Sequence, residues 1–215
     1  MSTVQEPIAA PAEEPTSDVG DPTWEIARLF PLQGHWSESE YFALETKQLV
    51  ELVDGKLEFP PMPTTSHQWL VMFIHRALYI YTEERKLPPP YFAGLPLRLR
   101  ENLIREPDIL WLSGEKEKQR GEQYWGTADF VLEVVSPGGR TRDLVEKKRE
   151  YAAAGIFEYW IVDPKERTVA VLTLNDGDTE YSESGLYQHG DVAKSVLFQG
   201  FEIAVAELFS SDAQA

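Results

Sequence analysis

The chain has 215 residues, of which 42% are hydrophobic and 26% are charged, and its formal net charge is −16. This composition is typical of a globular protein and excludes a disordered or fibrous one. The absence of cysteine excludes disulfides and thiolate zinc sites. No apolar run reaches the roughly 18 residues that span a bilayer, and no basic-then-apolar signal begins the chain, so we expect a cytoplasmic protein with no membrane partner.

The negative charge is unevenly distributed. Residues 1–22 are rich in Pro and Ala and hold five acidic residues without any Lys or Arg, which predicts a disordered acidic tail before a single domain at residues 23–215. Residues 140–149 hold five basic residues against two acidic ones. A strongly acidic protein should be repelled by nucleic acid, so the charge argues against indiscriminate binding but leaves room for one basic patch.

The first elements have clear end signals. Ser37 with Glu40 three residues later is a capping box that predicts a short helix. Asp54-Gly55 lies between two apolar arms, which is the signature of a tight hairpin. Residues 64–86 carry apolar residues at helical spacing and predict the longest helix.

The remaining elements alternate between strands and one helix. "TRDLVEKKREYAAAG" predicts a helix over residues 141–155, with Asp143 as its N-cap and Gly155 as its stop. Short apolar runs predict strands at residues 95–102, 107–113, 128–136, 157–163, 168–174 and 195–208, with a loop before the last. This order favours an α/β (α+β) fold in which a central mixed β-sheet is flanked by helices.

Two carboxylates occupy unusual strand positions. Glu133 lies within the apolar run "FVLEVV", where an unpaired acid is costly, and Asp108 begins the strand "PDILWL". On neighbouring strands, whose axes lie about 4.8 Å apart, the two acids could converge. Converging acids repel each other unless a cation lies between them, and Mg²⁺ or Mn²⁺ suits a pair of carboxylates.

Basic residues follow Glu133 on the next predicted helix. Lys147 shares a helical stripe with Asp143 and Tyr151, and its ammonium could stabilise charge on a phosphate. Arg140 and Arg142 could also hold phosphates. From the residues alone, a metal site and an internal salt bridge of Glu133, for example to Arg98, Arg100 or Lys147, are equally favoured.

Several segments together resemble the Uma-type family of candidate restriction endonucleases, a branch of the PD-(D/E)XK nuclease superfamily. The resemblance covers roughly residues 36–210 and rests on Pro107-Asp108, "EVVSP" at 133–137, "RDLVEKKREYAAAGIFEYWIVD" at 142–163, "ELVDGKL" at 51–57, His67 and "GFEIAVAELF" at 200–209.

The resemblance implies a restriction-endonuclease-like fold and a metal-dependent phosphodiesterase site. Asp108 and Glu133 match the two metal-binding acids, Glu51 matches a further acid that could hold a second ion or orient water, and His67 is expected near the site. The superfamily places a lysine two residues after the second acid, but this chain has Val135 there. In this branch the role passes to Lys147, with Lys148 as the alternative.

The expected function is a Mg²⁺- or Mn²⁺-dependent endonuclease that cuts duplex DNA, as a homodimer by analogy with other restriction enzymes. One alternative is a non-catalytic scaffold or oligomerisation module with the same fold. A nuclease that acts on RNA or on branched DNA is another.

Overall fold

The computed structural model describes residues 30–210, apart from residues 47, 93, 115 and 117–119. The acidic tail predicted at residues 1–22 lies outside this part of the chain. Within it, no helix is both long and apolar enough to cross a membrane.

The described residues form four α-helices, one π-helical turn and twelve strands. In chain order they are α1 (Glu38–Phe42), β1 (Glu51–Val53), β2 (Lys56–Glu58), α2 (Thr65–Glu84), β3 (Tyr91–Phe92), β4 (Leu97–Arg100), β5 (Leu103–Arg105), β6 (Ile109–Trp111), β7 (Phe130–Val134), a π-helical turn (Arg142–Glu146), α3 (Lys147–Ala153), β8 (Glu158–Asp163), β9 (Thr168–Thr173), β10 (Ser182–Tyr187), β11 (Val192–Lys194), β12 (Glu202–Ala204) and α4 (Val205–Leu208).

A six-stranded sheet with the order β10-β9-β8-β7-β6-β3 forms the centre of the fold. Strands β7 and β8 are parallel, and the other neighbours are antiparallel. A parallel pair needs a crossover connection, and the π-helical turn with α3 supplies it. The mixed sheet flanked by helices, predicted from the order of elements, is confirmed.

Alternation along β7 divides the core into two layers. Phe130, Leu132 and Val134 face the layer that contains α2, whereas Val131 and Val135 face the layer that contains α3. Glu133 shares the second face, because successive strand side chains point to opposite sides of a sheet. The acid therefore points toward the helix that carries Lys147.

A smaller antiparallel sheet with the order β2-β1-β5-β4 packs beside the central one. The predicted hairpin is confirmed: Asp54 and Gly55 have φ angles of +47° and +76°, as a tight two-residue turn requires. Leu52 pairs with Ile104 across β1 and β5. This register brings Glu51 beside Arg105.

The predicted helix ends are partly correct. The capping box of Ser37 is present, and Gly155 adopts a φ of +73° just after α3. The prediction that Asp143 is an N-cap is wrong. Asp143 lies inside the π-helical turn, and its carboxylate accepts a hydrogen bond from the Ser136 N–H at 3.2 Å.

The C-terminal part of the central sheet also differs from the prediction. Residues 182–187, within the predicted loop, form the edge strand β10, because an edge strand can keep its polar residues in water. The predicted strand at residues 195–208 contains only the strand β12 and the helix α4. Neither change involves residues that line the cleft at the ends of β7 and β8.

Candidate active site

A cleft of about 370 Å³ opens at the start of β6 and the ends of β7 and β8, beside the first turn of α2. Its lining contains acidic and basic side chains together: Glu51, His67, Glu106, Asp108, Glu133, Arg140, Arg142, Asp143, Lys147, Asp163 and Lys165. The four candidate residues from the sequence, Glu51, Asp108, Glu133 and Lys147, therefore all line this one cleft.

Asp108 is fixed at the start of β6. Its Oδ2 accepts a hydrogen bond from the Val134 N–H at 2.8 Å and lies 3.2 Å from His67 Nε2. Since Ile109 pairs with Leu132, the same register continued by one residue sets Asp108 opposite Glu133. The two acids therefore meet across neighbouring strands, as the strand phases predict.

His67 joins Asp108 to the long helix. Thr64 caps α2 by accepting a hydrogen bond from the His67 N–H at 3.1 Å, which places the imidazole in the first helical turn. Burial by itself would lower the pKa of His67, but the hydrogen bond and charge of Asp108 outweigh it and raise the pKa. His67 Nδ1 is buried without a hydrogen-bond partner.

Glu133 lies at the floor of the cleft and is only 4% exposed. Its Oε1 accepts hydrogen bonds from Lys147 Nζ at 2.7 Å and from the Tyr151 hydroxyl at 2.6 Å. Burial raises the pKa of Glu133, and the charges of neighbouring acids, Asp108 first among them, add to this effect while Lys147 opposes it. A cation at this position would relieve the repulsion.

The amine comes from Lys147 of α3. Its ammonium contacts Glu133 at 2.7 Å and Glu51 at 3.0 Å, and these carboxylates raise its pKa although burial would lower it. Lys147 is therefore charged near neutral pH. Lys147 makes this contact from inside the core, whereas Lys148 lies half-buried on the same helix.

Glu51 is fully buried and engaged on both oxygens. Oε2 accepts a hydrogen bond from Arg105 Nη1 at 2.8 Å, and Oε1 contacts Lys147 and the Glu106 N–H. Arg105 is also fully buried and binds Glu58 and both oxygens of Glu150. A continuous series of ion pairs thus runs from Glu150 through Arg105 and Glu51 to Lys147 and the cleft.

Of the possible salt-bridge partners of Glu133, only one forms the ion pair. Arg98 pairs with Glu38 at 2.9 Å and Arg100 with Asp54 at 2.7 Å, so both arginines are used elsewhere. The cationic partner of Glu133 is Lys147.

The donor set fits a hard divalent ion. Mg²⁺ takes one or two carboxylates and keeps several waters, which matches two acids that line an open cleft. Among the described residues, no group of three or more His, Asp or Glu side chains is arranged as a metal centre. A closed cage of protein ligands is therefore not the geometry that this part of the chain offers.

Sequence reasoning missed Arg105 and misjudged Asp143. A buried arginine in a strand has no local signal, because its partners are 45 and more residues away along the chain. Helical spacing predicts the side of the helix on which Tyr151 lies, but not its hydrogen bond to Glu133. Glu106 also lines the cleft, and burial raises its pKa to about 7.

Comparison with known proteins identifies a family and a related fold. A family model described as "Uma2: Putative restriction endonuclease" matches residues 38–206. The crystal structure of a "putative nuclease belonging to DUF820" from Anabaena variabilis matches with a TM-score of 0.67 and 18% identity, covering 84% of this chain and 98% of that one. At this identity the structural likeness supports the fold alone. No match was found among curated proteins.

Proposed function

The chain belongs to the Uma2 family, described as "Putative restriction endonuclease", and from this premise we propose that it is a Mg²⁺- or Mn²⁺-dependent endonuclease that hydrolyses phosphodiester bonds of DNA. One observation carries the proposal: Asp108 and Glu133 face each other on neighbouring strands at a cleft, with the charged amine of Lys147 2.7 Å from Glu133. Acids and an amine in this arrangement suit phosphoryl transfer.

Asp108 and Glu133 would hold the ion. When bound, Mg²⁺ or Mn²⁺ would supply a water of lowered pKa and withdraw charge from the scissile phosphate. His67 positions Asp108 through the 3.2 Å contact, and Tyr151 fixes the rotamer of Glu133 through its hydroxyl.

Lys147 would stabilise the negative charge that develops on the phosphate oxygens. Its second contact, to Glu51, keeps the ammonium at the site even when Glu133 turns toward a cation. We therefore assign Glu51 the role of positioning Lys147, since both of its oxygens are already engaged.

The decisive experiment measures nicking and cutting of supercoiled plasmid with Mg²⁺, with Mn²⁺ and with EDTA. Activity is expected only with a divalent ion. The changes Asp108→Asn and Glu133→Gln should abolish it, and Lys147→Met should lower it about 100-fold or more. Lys148→Met is the matched control and should retain activity. Cleavage in EDTA, or cleavage that survives Glu133→Gln, would contradict the proposal.

The buried Lys147–Glu133 pair also suits a non-catalytic scaffold, in which it would serve only structure. Calorimetry with Mn²⁺ separates the two: the scaffold binds no ion, whereas the enzyme shows heat that Glu133→Gln removes. A panel of duplex DNA, branched DNA and RNA then distinguishes the remaining nuclease alternatives.

A further inference from the structure

The long helix α2 carries exposed apolar side chains on the face that points away from the core. One side of the helix is buried against the central sheet. On the opposite side, where an amphipathic helix normally carries polar residues, Met72, Tyr79 and Ile80 are 53%, 43% and 44% exposed. A rotation of 100° per residue places these three side chains within about 100° of one another.

The exposed apolar surface continues beyond the helix on two sides. Phe92 of the edge strand β3 is 61% exposed, and its ring lies 4.8 Å from the His75 ring, which lies 6.3 Å from the Tyr79 ring. Leu87 is held just after the helix because its N–H donates to the Thr82 carbonyl at 2.9 Å. The α2 patch consists of Met72, Tyr79, Ile80, Leu87 and Phe92. A contiguous apolar surface of this kind marks an interaction site more often than scattered apolar residues do.

Two opposite charges lie on the same face of α2. Arg76 and Glu83 are exposed, and among the described residues neither side chain has an ion-pair partner. They are separated by about 10 Å of helical rise and do not pair within the chain. Their order makes the α2 patch complementary to itself, because a second copy that runs antiparallel brings each arginine to the glutamate of the other copy.

We propose that the α2 patch is the interface of a homodimer in which the two α2 helices pack antiparallel about a two-fold axis. An axis midway between Tyr79 and Ile80 places Tyr79 of each copy against Ile80 of the other. The same axis relates Arg76 to Glu83. A closed two-fold interface uses the same surface of both copies, which is what this arrangement provides. The proposal is independent of the proposed nuclease activity.

The charges select the antiparallel orientation over the parallel one. In a parallel two-fold pair each residue would face its own counterpart, so Arg76 would meet Arg76 and Glu83 would meet Glu83, and like charges repel. The antiparallel pair also brings Leu87 of one copy toward Met72 of the other. Because exposed ion pairs add little affinity, the apolar side chains supply most of the binding and the charges set the orientation.

The opposite edge of the central sheet is less suited to pairing with a second copy. Strand β10 is largely polar, and a register shift between Glu183 and Gly185 interrupts its pairing with β9. Polar residues and bulges on an edge strand discourage association through that edge. The exposed Leu186 of β10 therefore offers a matched control for the α2 patch.

The first test is sedimentation velocity of the full chain from about 5 to 200 µM, since interfaces of modest size associate in the micromolar range. A dimer is expected at the upper end. Ile80→Asp places a charge beside the axis in both copies and should raise the dissociation constant at least about tenfold. Leu186→Asp makes a similar change at an exposed side chain outside the patch and should leave the constant unchanged.

Three outcomes of this first test would overturn the proposal. They are a chain that stays monomeric throughout, a dimer that Ile80→Asp does not weaken, and a dimer that Leu186→Asp weakens equally. A monomer would leave a different protein as the occupant of the α2 patch. Circular dichroism checks that each variant is folded.

The second test exchanges the charges. Arg76→Glu sets two acids opposite each other at both ends of the interface, and Glu83→Arg sets two cations there, so each change should weaken its homodimer about fivefold to tenfold. Mixing the two variants restores opposite charges at both ends, and a heterodimer of near wild-type affinity should form. These differences should shrink at about 0.5 M salt.

The mixture decides between the proposed register and a general loss of structure, because it contains the same two chains that dimerise poorly alone. Sedimentation with one variant labelled with fluorescein follows the heterodimer directly. Single variants that dimerise like the wild type, or a mixture that dimerises no better than its components, would overturn the antiparallel register.

Discussion

At the scale of single residues, neighbouring charges determine the direction in which the pKa of a carboxylate in the cleft shifts. Glu51 and Glu133 both contact Lys147, yet their pKa values shift in opposite directions. Glu51 has Arg105 as a second cation, whereas Glu133 faces Asp108 and further acids. Only Glu133 would therefore gain from an added cation, which agrees with its proposed role as a ligand.

The pH dependence of stability should reveal the contribution of the ionised Glu51 carboxylate to the free energy of unfolding. Burial alone would raise its pKa, but the charges of Lys147 and Arg105 outweigh burial and lower it to about 2. A lowered folded-state pKa stabilises the protein above the unfolded pKa near 4.5, by about 3 kcal/mol, and this contribution is lost as the pH falls toward 2. The change Glu51→Gln should remove it. The difference in free energy of unfolding between wild type and Glu51→Gln, measured with urea, should shrink to about half between pH 7 and pH 3.

Glu58 provides the control for this measurement. It binds the same guanidinium at 2.8 Å, but its side chain is 31% exposed, and water screens such a pair. The change Glu58→Gln should therefore cost less free energy of unfolding at pH 7 than Glu51→Gln does. A Glu51→Gln difference that is the same at pH 7 and pH 3 would show that Glu51 contributes no charge-dependent stability.

The principal site residues could be identified from the sequence, but the ion pairs that hold them in place could not. Asp108 and Glu133 follow from strand phase, and Lys147 follows from helical spacing, because these are local periodicities. Arg105 joins acids from three other elements, and that convergence depends on the pairing of the small sheet and on how it packs against α3. Such a network is set by tertiary structure alone.

At the scale of elements, the π-helical turn Arg142–Glu146 is the feature that arranges the cleft. The Lys147 N–H donates to the carbonyl of Arg142, five residues back, instead of the usual four. The extra residue lets Asp143 face Ser136 while Lys147 and Tyr151 both face Glu133. Such turns within helices are frequent at functional sites.

Deleting Val145, which is 50% exposed within this turn, tests that interpretation. The shortened helix should regain the four-residue pattern, and Asp143 and Lys147 would then be three residues apart. They would stay on one side of the helix, but the hydrogen bonds of Asp143 to Ser136 and of Lys147 to Glu133 would no longer both keep their present geometry. We expect DNA cleavage to fall about 100-fold or more, with helix content by circular dichroism retained.

The substitution Val145→Ala keeps the length of the turn and serves as the control, with cleavage expected near the wild-type rate. Full activity of the deletion variant would show that the register of this turn is unimportant.

Periodicity predicted most elements because the central strands are buried on both faces and the helices have one apolar face. The π-helical turn was not predictable in this way, since no residue pattern marks an inserted position. Strand β10 was also missed, because "SESGLY" has the polar composition of a loop. Its strand conformation comes from pairing with β9.

At the scale of the whole molecule, the net charge of −16 opposes the approach of DNA. The contacts proposed within the cleft are short-ranged, whereas the total charge acts at long range on the rate of encounter and, at low salt, on the affinity. The predicted homodimer would bring two clefts to the two strands of a duplex.

Neutralising the N-terminal segment measures this long-range repulsion. Residues 1–22 contribute five of the negative charges, and replacing them with Gln or Asn in the full chain leaves a net charge of −11 (−16 plus 5). Because salt screens charges beyond about 10 Å at 0.1 M, duplex affinity should rise severalfold at about 20 mM salt and match the wild type near 0.5 M. Fluorescence anisotropy at the two salt concentrations gives the comparison. A gain that persists at high salt would instead mean that this segment contacts the cleft directly and competes with DNA for it.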